Sequence, residues 1–104
     1  MQSITPAELQ FKIANREMFA LKFWAPWCQP CHQFSPVVDK VHQQIPVPYY
    51  SVNVEEFPDI AAQFEVKSIP TVVGIKKGDL NFRTIGAVDY KDLFVKTQMM
   101  ALLP

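Results

Sequence analysis

Two cysteines are all that this chain of 104 residues carries. That is far too few for the dense bridging that holds small secreted scaffolds together. No apolar run approaches the length that a bilayer crossing needs. No block of like charge stands out either, and ten acidic against ten basic residues give a formal net charge of zero. Neither a nucleic-acid groove nor an anionic membrane surface is therefore expected as the main partner. The opening MQSITPAELQFKIAN has no basic start followed by an apolar core, so it does not read as an export signal. A soluble, cytoplasmic protein is expected. Repeats, low-complexity tracts and linkers are lacking too; three glycines and nine prolines punctuate the chain. What remains is material for one compact domain, residues 1–104, with 49% hydrophobic and 12% aromatic residues to fill its core.

Local signals divide that domain into alternating elements. Thr5, Pro6 and Glu8 spell a helix start, with Thr5 as N-cap, Pro6 in the first position and Glu8 closing a capping box. Ile4 and Leu9 are spaced for a hydrophobic staple, and the helix should reach about Asn15. MFALKFW, Met18 to Trp24, reads as a strand buried on both faces. Phe34, Val37, Val38, Val41 and Ile45 recur at helical spacing and predict a helix from about Gln29 to Gln44, kinked at Pro36. Val47 to Val54 reads as a strand, Pro58 to Phe64 as a short helix. Thr71–Lys76 and Leu80–Ile85 form a hairpin around Lys77-Gly78-Asp79. Asp89 caps a last helix whose apolar face is Tyr90, Leu93, Phe94, Thr97 and Ala101. Strands alternating with helices imply an α/β fold with a parallel core, the hairpin adding an antiparallel edge and helices covering both faces.

Both cysteines lie in FWAPWCQPCHQF, Phe23 to Phe34, and four chemistries fit their spacing. Cys28-Gln29-Pro30-Cys31-His32 matches the c-type haem attachment pattern, but that pattern belongs to exported, mostly helical proteins. Zinc needs about four ligands, and only His32 and His42 could join the cysteines, at spacings unlike a familiar finger. A structural disulfide across so short a loop would remove little unfolded-state entropy. A redox-active dithiol fits the setting best. Cys28 stands just before a helix, whose unpaired N–H groups and dipole stabilise a thiolate. Cys31 lies one turn further on, close enough to attack a mixed disulfide at Cys28. Pro30 stiffens the turn without losing a needed N–H.

With WCQPC in view, the chain resembles the thioredoxin family over nearly its full length. The matching pieces are FWAPWCQPC, Pro36, VNVEEFP, VKSIPT, KKGD, and IGA followed by a helix. The resemblance implies a thioredoxin fold, a central mixed sheet of four to five strands flanked by helices. It implies a cis peptide bond before Pro70, with Cys28 as nucleophile and Cys31 as resolving thiol. Backbone at Ile69 would pair with an extended substrate, and Trp27, Gly86 and Ala87 would complete a flat apolar contact surface. Protein disulfides would be the substrates and an NADPH-dependent thioredoxin reductase the recycling partner. The protein would act as a monomer, with no bound cofactor and no metal. An oxidase or isomerase, and a binding subunit of a larger assembly, are the rival functions.

Three departures from the family matter. Gln29 stands where glycine is usual, and the dipeptide between the cysteines helps set the redox potential. His32 follows Cys31 where lysine is frequent, and a cationic His32 would support the thiolate at mildly acidic pH. Lys22 occupies the place of a buried acid, and Ser51 that of its usual lysine partner. Burial would push the Lys22 amine toward its neutral form. It is then expected to act as a substitute acceptor for the proton of Cys31; a charged amine would instead stabilise both thiolates, and a Lys22 that snorkels to solvent would take no part.

Overall fold

The computed structural model describes all residues, Met1–Pro104. Five strands and four helices follow in chain order. They are β1 (Gln2–Ser3), α1 (Pro6–Ala14), β2 (Phe19–Trp24), α2 (Gln29–Gln44), β3 (Tyr49–Asn53), α3 (Pro58–Gln63), β4 (Thr71–Lys76), β5 (Asp79–Ile85) and α4 (Tyr90–Leu102). The sheet order is β1-β3-β2-β4-β5. β1, β3 and β2 run parallel, and β4 joins β2 antiparallel. The hairpin adds an antiparallel edge to a parallel core, as expected. β4 lies inside the sheet, beside β2, and only β5 is terminal.

Alternation along the strands sorts the core into two layers. Phe19, Leu21 and Phe23 of β2 face one side, with Leu9 of α1, Ile60 of α3, and Val73 and Ile75 of β4. Ala20 of β2 and Val72 of β4 face the other, with Phe34, Val38 and Val41 of α2 and Leu93 and Met100 of α4. Helices therefore cover both faces, as the alternating pattern predicts.

Local chemistry explains most boundaries. The Thr5–Glu8 capping box forms, each side chain meeting the other's backbone N–H. Such a cap contributes about 1 kcal/mol. α2 continues through Pro36, held by its buried stripe against the sheet. β3 starts later than the apolar run suggests. Pro48 has no N–H to give a ladder, and the Val47 N–H turns back to the Ile45 carbonyl at 2.8 Å. Lys77 and Gly78 both take positive φ, 55° and 82°, which builds the two-residue reversal that hairpin twist favours. The apolar face of α4 also includes Met100, which is fully buried and was not among the residues its spacing suggested.

Candidate active site

β2 ends at Trp24, and the chain crosses the top of the sheet to Cys28, the N-cap of α2. Its sulfur accepts the backbone N–H of Cys31 at 3.2 Å. A sulfur at this place faces the unpaired donors and positive end of the helix, which favour the thiolate when the pair is reduced. Here the two sulfurs are joined in a disulfide, with the Cα atoms 5.3 Å apart. Cys28 is 3% exposed and Cys31 1%. Together with Ala25 they form a small apolar cluster backed by Trp24, Val54 and Ile69.

Trp27 is placed as its motif suggests, on the surface, 68% exposed. It shares an apolar groove of about 190 Å³ with Val54, Ala61, Val66 and Ile69, rimmed by Lys67 and Ser68. The Ile69–Pro70 peptide bond is cis. Thr71 closes the loop before it by donating from Oγ1 to the Ser68 carbonyl at 2.7 Å. Gly86 gives its N–H to the Pro70 carbonyl at 2.8 Å, and Ala87 beside it is exposed. Ile69 packs against the dithiol and shares the groove with Trp27, and Pro70 follows Ile69 in the chain. Gly86 and Ala87 border the Pro70 loop but are not groove walls. The groove runs toward β3 and α3 instead, onto Val54, Ala61 and Val66, which motif reading did not single out. Gln29 and Pro30 lie exposed on the first turn of α2.

His32 is surface-exposed but not free. Its Nε2–H donates to the Pro26 carbonyl at 2.7 Å, and its ring meets Trp24 edge-on. His42 lies farther along α2, packed against the ring of Tyr49.

Lys22 is the one charged side chain in the buried set, 6% exposed. It stands directly across the β2–β3 ladder from Ser51. Its ammonium donates to Ser35 Oγ at 2.5 Å, and Ser35 Oγ donates to the carbonyl of Cys31 at 3.2 Å. Burial lowers its pKa, while the carboxylate of Asp39 acts in the opposite direction. Neither Ser35 nor Asp39 was anticipated. The available signal was their spacing, four and eight residues after Cys31, which puts all three on one stripe of α2.

The thioredoxin family model matches residues 1–99. The chain is 43% identical over 88 residues to a thioredoxin of Synechocystis sp., the match covering 82% of each chain. It is 37% identical over 81 residues to the chloroplastic M-type thioredoxin of Spinacia oleracea, covering 76% of this chain and 45% of that longer protein. The structure superposes on oxidised mitochondrial thioredoxin 3 from Saccharomyces cerevisiae with a TM-score of 0.85 at 32% identity, covering 94% and 93% of the two chains.

Proposed function

The chain belongs to the thioredoxin family, a thiol–disulfide oxidoreductase, and on that premise we propose which residues carry the exchange and in which direction it runs. Cys28 thiolate attacks an exposed disulfide of another protein and forms a mixed disulfide. Cys31 then attacks Cys28 Sγ, releasing the reduced substrate and leaving the Cys28–Cys31 bond. The observation that carries this assignment is asymmetric placement. Cys28 caps the helix and takes the Cys31 N–H on its sulfur, whereas Cys31, equally buried, lies one turn inside the helix. The first is poised to be a thiolate, the second to wait.

Substrate recognition follows from the same surface. An extended segment flanking the substrate cysteine would pair with the backbone at Ile69, and an apolar side chain would enter the groove beside Trp27. Gly86 and Ala87 would border that segment. The reading extends to a monomer working in the cytoplasm and recycled by an NADPH-dependent thioredoxin reductase.

Two experiments test it. Titration against a dithiol buffer should give a potential near the reducing level, about −270 mV. A value nearer about −180 mV would reverse the direction to oxidation or isomerisation. Cys31→Ser should accumulate a mixed disulfide with a protein substrate, and Cys28→Ser should form none. Trapping by Cys28→Ser alone would exchange the two roles. A biological role retained by the double serine variant would favour a binding subunit.

A further inference from the structure

Cys31 poses an electrostatic problem that its surroundings answer. In the disulfide Cys31 is 1% exposed among Ala25, Trp24, Val54 and Ile69, and a thiol in so apolar a place ionises reluctantly because the thiolate loses hydration. Yet resolution needs that thiolate. Lys22 reaches the first turns of α2 from below and donates to Ser35, whose hydroxyl donates to the backbone carbonyl of Cys31.

A serine hydroxyl has one proton, and that of Ser35 goes to the Cys31 carbonyl. Lys22 is therefore the donor in its contact with Ser35. The carboxylate of Asp39, which lines the same cavity as Lys22, favours the ammonium as that donor. The remaining ammonium protons face this polar cavity of about 320 Å³, lined by Met1, Trp24, His32, Ser35, Asp39 and Ser51. That volume admits water. Of the elements packed against Lys22, α2 brings the titratable Asp39 and His32, and the segment before β1 brings Met1. β3 supplies uncharged Ser51 and β4 apolar Val72. Asp39 is the one anionic side chain among them, and it opposes loss of the lysine proton.

We propose that Lys22 is a fixed cation beneath the dithiol, held to α2 by Ser35 and countered by Asp39, which stabilises the Cys31 thiolate during resolution. It is a positioning residue, not the proton acceptor. The inference rests on Cys31 being the resolving thiol. In the step itself, the Cys31 S–H proton passes to solvent and the thiolate attacks Cys28 Sγ. The Cys28–Cys31 bond forms as the bond from Cys28 to the substrate sulfur breaks. The substrate leaves as a thiolate and takes a proton from solvent. Two electrons pass from the dithiol to the substrate disulfide, and Lys22 keeps its proton throughout.

The test isolates Cys31 in the full-length Cys28→Ser chain and follows thiolate absorbance against pH. Adding Lys22→Met removes the charge and keeps the apolar stem. It should raise the Cys31 midpoint so that thiolate at a given pH falls about tenfold, and Lys22→Arg should restore it. An unchanged or lowered midpoint in folded Lys22→Met overturns the proposal. So does a rise that arginine fails to restore, since that would be a packing effect. Should Lys22→Met not fold, Ser35→Ala keeps the ammonium but frees it from α2. A smaller rise is then expected, and no rise overturns the proposal. Reduction of a protein disulfide by the unmodified chain is scored separately. Failure there with an intact Cys31 shift would overturn the function and leave the cation role standing.

Discussion

Gly86 donates its backbone N–H to the Pro70 carbonyl at 2.8 Å, fastening the end of β5 to the loop that flanks the dithiol. Gly86 does so at φ 85°, where a side chain is strained, although a Cβ there would meet nothing within 4 Å. The cost of substitution is therefore conformational and not steric. Gly86→Ala should lower unfolding free energy by about 1–2 kcal/mol, and Gly86→Asn by less, because asparagine tolerates the left-handed region. Denaturant midpoints at unchanged slope would show the order. Equal stability of all three proteins would refute it.

Gly74 makes the opposite case. A Cβ at this position would lie 2.3 Å from the Phe82 ring and 2.7 Å from Met100 Sδ. Gly74→Ala should thus destabilise by overpacking, about 1–3 kcal/mol. Phe82→Leu in the same chain should recover part of the loss. Additive effects of the two changes would show that they do not share the space.

How much of this was legible in the sequence depends on range. Thr5, Pro6 and Glu8 act on neighbours three residues away, so the α1 start could be read directly. The stripe Phe34–Ile45 and the apolar run Met18–Trp24 are equally plain, being single-element patterns; the strand itself starts one residue later, at Phe19. The place of β4 is not plain, because no local pattern states which strand it joins. Its pairing with β2 is a long-range outcome of both being buried on two faces. The same limit applies to the site. Cys28, Cys31, Trp27 and Pro70 carry a motif. Val54, Ala61 and Val66 enter the groove only through folding, and Ser35 and Asp39 gain meaning only once Lys22 is seen beneath them.

Trp27 separates recognition from stability. With 68% of its surface exposed, it adds little to the core. Trp27→Ala should leave the unfolding free energy within about 0.5 kcal/mol of the parent. Reduction of a protein disulfide should slow severalfold through KM, while reduction of a small disulfide that does not reach the groove should change little. Equal slowing for both substrates would assign Trp27 to the chemistry at Cys28 instead of to docking.

Tyr49 carries a pH dependence with a definite sign. Its hydroxyl is buried against Thr97 Oγ1 at 2.6 Å, and burial pushes its pKa up from 10.0 to about 12. The neutral phenol is thus favoured in the folded chain. Its contribution is fully present below pH 10.0 and is lost as pH rises toward about 12, because the unfolded chain releases the proton first. A rise of that size corresponds to about 3 kcal/mol at most. Tyr49→Phe has no such proton but gives up a buried hydrogen bond worth about 1 kcal/mol. Thr97 still donates to the Leu93 carbonyl at 2.8 Å, so the variant leaves no hydroxyl proton stranded. The variant should therefore be less stable at neutral pH and lose less stability than the parent through the alkaline range. The two stability curves should converge and cross there, as followed by urea unfolding at successive pH values. Parallel curves would mean that Tyr49 ionises as easily in the folded chain as in the unfolded one.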